Sequence, residues 1–528
     1  MISLRNAPSQ KNRKSVAVFC VIVIGSLLCG AFAQETNSAK PAETLTDLQS
    51  RLTNHVAQRR FAAAMWGVKV VSLDTGKTLY EHNAGKLFSP ASNSKLYTCA
   101  LALDRLWPDY RIRTSLYSQA RPDRSGTLNG DLIVFGRGDP TLNARLHEND
   151  IFKALEPLVA ALTNAGVKRI KGDLIGDESF FRGPPFGSGW AWDDMENYYG
   201  AEISALTIND NLLQLNVKPG GQIGAPCELK LKPATPFVII SNRTETVAKD
   251  AKRRISLYRP LGGNVTHVRG QMPMEDSGSN EDVMVHNPAG LFVALFKEAL
   301  ARRGIKVSGR VRTADWLARE ATPLDLASLI ELGAVESLPL RDIVREIQKP
   351  SQNLYTDLLL AHVGALAQAT NTSAAKMTSE DAGIEELDRF LARIGIEKGN
   401  VFFEEGSGLS RNNLTTPNAM VRLLEFMSRH SSADVYRDAL PIAGVDGTLK
   451  SRMKDTPAAG NMRAKTGTLR WANSLSGHVT TAAGERLIFS IMLNRYHSTE
   501  PNRSTRAEID AIAVMLAGFT GHSSKEKE

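Results

Sequence analysis

Four cysteines in 528 residues exclude a disulfide-built scaffold. Two of them, Cys20 and Cys29, fall in the N-terminal stretch. Cys99 lies on an apolar helical face and Cys227 in strand-like sequence, so each reads as a buried thiol and not as half of a pair. His-Glu-x-x-His and paired Cys-x-x-Cys motifs are missing, so no metal is expected, and no other cofactor either. Aromatic residues are scarce at 6%, and no basic stripe interleaves with them, which argues against nucleic acid as a partner.

What is present suits a multidomain globular chain, 42% hydrophobic and 23% charged. Residues 1–33 read as a cleavable signal peptide. They hold Arg5, Lys11, Arg13 and Lys14, an apolar run at about 16–28, then Ala31-Phe32-Ala33. An uncleaved anchor is the alternative, because the run falls little short of spanning length. The four positive residues have no acidic counterpart there, so the net +8 falls by four to +4 without them. A mildly basic mature surface suits weak attraction to an anionic wall or membrane surface. The expected location is extracytoplasmic, in a periplasm.

Three motifs carry chemistry: Ser92-Asn93-Ser94-Lys95, Ser351-Gln352-Asn353 and Lys465-Thr466-Gly467. Singly they are weak, since Ser-x-x-Lys also occurs at Ser373, Ser451 and Ser524, and Ser-x-Asn at Ser410. Context selects among them. Ser89 is a plausible N-cap and Pro90 suits the first helical position, while Leu96, Cys99, Ala100, Leu103 and Leu106 recur at helical spacing. Ser92 then sits in the first turn with Lys95 on the same face. A serine attacks only when a base takes its proton, and a lysine serves only when neutral. Burial and a nearby positive charge, Lys465, are expected to lower the pKa of Lys95. Ser351 follows Lys349-Pro350 and opens a run with Leu354, Leu358, His362 and Leu366, which puts Ser351 and Asn353 at a helix mouth. Asp139 and Asp446, in Gly-flanked loops, read as turn-formers.

The trio, in this order, resembles that of the penicillin-recognising serine enzymes. With Gly138-Asp139-Pro140-Thr141-Leu142, Gly172-Asp173-Leu174-Ile175-Gly176-Asp177, Trp190-Ala191-Trp192-Asp193-Asp194, Gly406-Ser407-Gly408-Leu409-Ser410-Arg411 and Gly444-Val445-Asp446-Gly447-Thr448-Leu449, the chain resembles a class C penicillin-binding protein over about residues 45–518. That group comprises D-alanyl-D-alanine carboxypeptidases and endopeptidases of peptidoglycan. Ser92 and Ser351 lie 259 residues apart, far more than in a β-lactamase, and no Glu-x-x-Leu-Asn stretch falls between them. A β-lactamase or esterase, and a non-catalytic wall-binding protein, are the alternatives.

The resemblance implies an α/β (α+β) fold, a transpeptidase/β-lactamase-like domain with an antiparallel sheet flanked by helices and nested β-rich insertions. The expected limits are 34–118 and 336–520 for the catalytic domain, 119–190 and 290–335 for domain II, 191–289 for domain III, and 521–528 for a frayed tail. Hairpins at 68–81 and 475–493 and a helix through Ile509, Ile512 and Leu516 would join both chain ends in one sheet. It implies Ser92 as nucleophile, Lys95 as base, Ser351 as proton relay, and Ser92 and Thr468 N–H groups as oxyanion hole. Asn353 would bind the acyl-side amide, and Lys465, Thr466 and Thr468 the terminal carboxylate. Gly467 would let substrate backbone lie against its strand, and Asp194 would sit near the diaminopimelate end of the peptide. The implied partners are peptidoglycan stem peptides and β-lactam antibiotics.

Overall fold

The computed structural model describes residues 42–498 and 504–524; the signal-peptide expectation lies outside them. Both ends of the described chain build one five-stranded sheet. Its strands are β1 (Met65–Ser72), β2 (Thr78–His82), β3 (Arg463–Leu469), β4 (Ala472–Thr480) and β5 (Arg486–Asn494), in the order β3-β4-β5-β1-β2, all antiparallel. β5 explains why its sequence is an unbroken apolar run. Side chains alternate across a strand: Leu487, Phe489, Ile491 and Leu493 enter one core, Ile488 and Met492 the other. The first core is closed by helices α1 (Leu45–Val56) and α4 (Thr505–Ala517). The second is closed by α2 (Ser94–Leu106), α3 (Asn353–Thr370) and helices Leu340–Gln348 and Pro417–Ser428.

The second sheet runs Val311–Ala314, Leu174–Asp177, Leu132–Phe135, Arg113–Ser118, Ile330–Glu336. Here the expected limits shift. Arg113–Ser118, placed in the catalytic part, pairs with Ile330–Glu336 in this sheet. The crossing falls earlier, where Ile112 and Ser337 exchange hydrogen bonds, Ile112 N–H to Ser337 Oγ at 2.9 Å and Ser337 N–H to Ile112 O at 2.8 Å. The region expected as domain III holds two three-stranded sheets. Sheets this small bury little alone. Leu213, Leu215, Val268 and Met272 therefore join one core with Leu116, Leu132 and helix Pro288–Arg302. Residues 191–211 contribute no strand; Tyr199 O accepts from Asn353 of α3, while Leu206 and Ile208 join the core of the inserted region.

The tail is not frayed as far as Ser524. Ser523 is fully buried, donates its N–H to Glu485 Oε2 at 3.0 Å, and its carbonyl accepts from Lys77 Nζ at 3.2 Å. A buried carboxylate needs such donors. Among the described residues, no helix is long and apolar enough to cross a membrane.

Candidate active site

Ser92 occupies a tight 3-10 turn, Ala91–Asn93, that leads into α2. The expected Ser89 cap does not form. Ser89 is instead held to the end of β5: its N–H donates to Asn494 Oδ1 at 2.8 Å and its carbonyl accepts from Asn494 Nδ2 at 3.2 Å. Ala91 takes a positive φ of 48°, a conformation costly for a residue with a side chain. Close packing on two sides holds it there. A Cβ on Gly408 would lie 1.9 Å from Ala91 O, and one on Gly467 would lie 2.4 Å from Pro90 O and 2.2 Å from Ser474 Oγ. Gly467 thus makes room for the nucleophile turn; the expectation that it makes room for substrate is corrected. Ser474 Oγ donates to Pro90 O at 2.6 Å, and Asn93 Nδ2 to Ser476 Oγ at 2.7 Å, so β4 braces the same turn.

The structure brings the three motifs together. Lys95 Nζ donates to Ser92 Oγ at 3.0 Å, to Asn353 Oδ1 at 2.6 Å and to Ser407 O at 2.6 Å. Lys465 Nζ donates to Ser351 Oγ at 2.7 Å and to Thr466 O at 2.9 Å. Period-two alternation turns Lys465 and Gly467 toward α2 from β3. Ser351 adopts φ 67° between two helices, just before Gln352 caps α3. Asn353 Nδ2 donates to Tyr199 O at 2.9 Å.

Both amines are wholly buried. Burial brings Lys95 down to about 8, opposed by the carboxyls of Asp357 and Glu405. Burial, then the Lys95 charge, pushes Lys465 well below its ordinary value. Burial thus lowers Lys95 as expected, and like-charge repulsion acts between the two amines.

A cleft of about 470 Å³ opens over Ser92. Ser351, Asn353, Thr466 and Thr468 line it, with Asp193, Asp194, Tyr198 and Tyr199 contributed by the inserted region. Thr468 is exposed on the edge strand β3, and Thr466 Oγ1 donates to Thr448 Oγ1 at 2.8 Å. Asp194 is half-buried and accepts from Ala191 N–H at 3.0 Å; burial raises its pKa. Arg411, Arg452 and Arg506 add positive charge along the cleft, and among the described residues no histidine lines it. Sequence reasoning missed Tyr199, Thr448, the three arginines and the carboxyls behind Lys95. Glu405 adjoins a Gly-rich loop whose sequence had been noted, but nothing in the sequence tied that loop to Lys95.

Comparison with known proteins agrees with this architecture. The model of the "D-Ala-D-Ala carboxypeptidase 3 (S13)" family matches residues 48–516. A D-alanyl-D-alanine carboxypeptidase of Actinomadura sp. (strain R39) is 31% identical, over 97% of this chain and 92% of that one. The D-alanyl-D-alanine carboxypeptidase DacB of Haemophilus influenzae is 27% identical, over 82% of this chain and 86% of its own. The crystal structure of penicillin binding protein 4 from Haemophilus influenzae superposes with a TM-score of 0.73 at 25% identity, covering 89% of this chain and 97% of the other.

Proposed function

The chain belongs to the D-Ala-D-Ala carboxypeptidase 3 (S13) family, and from that premise we propose that it is a serine-type D-alanyl-D-alanine carboxypeptidase or endopeptidase of peptidoglycan, with Ser92 as nucleophile. The observation that carries this reading is a pair of buried lysine–hydroxyl contacts, Lys95 to Ser92 and Lys465 to Ser351, meeting at one cleft.

Lys95, neutral, takes the Ser92 proton as Oγ attacks the carbonyl carbon of the penultimate D-alanine. The N–H groups of Ser92 and Thr468 receive the developing oxyanion. Ser351 passes a proton to the departing amine nitrogen, the C–N bond breaks, and an ester on Ser92 remains. The proton that Lys95 took from Ser92 replaces the one Ser351 gave. Water then attacks the ester while Lys95 and Ser351 take one of its protons. The Ser92 Oγ–carbonyl bond breaks, the peptide leaves as its carboxylic acid, and that proton returns to Ser92 Oγ. Asn353 spends one Nδ2 hydrogen on Tyr199 O, so its second can donate to the acyl-side amide of the donor peptide. Lys465, Thr466 and Thr468 hold the terminal carboxylate. Asp194 faces the cationic end of a diaminopimelate side chain. A β-lactam acylates the same serine. The enzyme works outside the cytoplasm, in the periplasm, after export by residues 1–33.

Incubation of the exported protein with fluorescent penicillin is expected to give one long-lived covalent label, mapped to the Ser92 peptide. No label, or label surviving Ser92→Ala, overturns the assignment; rapid release of hydrolysed penicillin would make it a β-lactamase. Digestion of cross-linked muropeptides beside free pentapeptide separates the endopeptidase from the carboxypeptidase.

A further inference from the structure

Behind Lys95, on the side away from the cleft, lies a buried carboxylate that the mechanism above does not use. Glu405 is wholly buried. Its Oε2 accepts from Ser407 N–H at 2.9 Å and Ser407 Oγ–H at 2.5 Å. Its Oε1 accepts from Gly408 N–H at 2.7 Å, Asn413 Nδ2 at 2.7 Å and, more distantly, Ser410 N–H at 3.4 Å. All these partners are donors, the pattern of a carboxylate and not of a carboxylic acid. The loop folded around it meets the active site twice: the Ser407 carbonyl accepts from Lys95 Nζ, and Gly408 lies against the Ala91 carbonyl beside Ser92.

We infer that Glu405 is a positioning residue for the acylation step: its carboxylate fixes the Ser407 carbonyl and Gly408 against Lys95 and the Ser92 turn, and its negative charge stands behind the Lys95 amine. This rests on the reading of Lys95 as the base. A second carboxyl, Asp357 of α3, is also buried, in different surroundings. Asp357 Oδ1 accepts from Gly406 N–H at 3.1 Å, and the Ser407 hydroxyl also bears on this carboxyl. Burial, then the Glu405 charge, pushes Asp357 well above the usual carboxylate range. Both carboxyls oppose the lowering of Lys95, but only Glu405 gathers the donors of Ser407 N–H and Gly408 N–H around itself. The other ionisable groups facing Lys95 are Lys465 on β3 and the thiol of Cys99 on α2 itself, which burial pushes up to about 12.

The test is the pH dependence of penicillin acylation, measured as a second-order labelling rate on the folded full chain. Glu405→Gln removes the charge that favours a protonated Lys95. The limb that rises with pH is expected to move toward acid by about one unit, the size typical of a nearby opposite charge, while its plateau drops. Ser407→Ala, a mild change that keeps the backbone carbonyl, withdraws the closest donor. The carboxylate, less neutralised, holds the Lys95 proton harder and the limb moves toward alkali by less than in Glu405→Gln, so this variant also serves if Glu405→Gln does not fold. A midpoint unmoved in folded Glu405→Gln, or in Ser407→Ala should that be the only folded variant, overturns the inference, because a purely structural role lowers the plateau alone. Wild-type protein that takes no label at all defeats the proposed function instead, so the two failures are distinguishable.

Discussion

Replacing Gly467 by alanine places a methyl group where the turn bearing Ser92 now lies. The new Cβ would stand 2.2 Å from Ser474 Oγ, 2.4 Å from Pro90 O and 3.2 Å from Ala91 Cβ. Restoring ordinary contact distances requires β3 and the turn to separate by about 1 Å. The Ser474 Oγ–H to Pro90 O bond spans that gap, and its loss costs about 1 kcal/mol. Overpacking adds about 1–3 kcal/mol, for a total destabilisation of about 2–4 kcal/mol. A nucleophile displaced by about 1 Å loses roughly 10²-fold in rate. Thermal or urea unfolding measures the first effect, and stopped-flow labelling with fluorescent penicillin the second. Unchanged stability together with acylation within about twofold of wild type would refute the packing argument. Weakened peptide binding at unchanged stability would restore the role expected from sequence, room for substrate backbone.

Lys95 must be neutral to act as base, and burial sets its pKa at about 8. The neutral amine gains population as pH rises, so wild-type acylation climbs through about pH 8 and falls about tenfold per unit well below it. A rate flat from about pH 6 to about pH 9 would exclude Lys95 as the base. Truncation before Gly521 strips Glu485, wholly buried, of the donors on Ser523. The cost is about 2–4 kcal/mol, seen as a lowered unfolding midpoint; an unchanged midpoint would return these residues to the status of a dispensable tail.

The local sequence determined a good deal. Apolar spacing after Ser92 announced α2, alternation and an unbroken apolar run announced the hairpin of β4 and β5, and three short motifs announced a serine acylated without histidine. Those signals are legible because each depends on neighbours within a few residues. What lies between distant segments was decided by the tertiary structure. Residue types cannot say that Gly467 yields to Pro90, since the two meet only when β3 packs beside the turn. Nor can they say that Arg113–Ser118 leaves the catalytic sheet, because strand partners are chosen across hundreds of residues. The electrostatics followed the same division. A lysine three places after a serine was visible as a base that burial would bring down, but the carboxyls that oppose the lowering were not. Desolvation depends on everything packed around the amine, and the opposing Asp357 and Glu405 reach it from a distant helix and a distant loop.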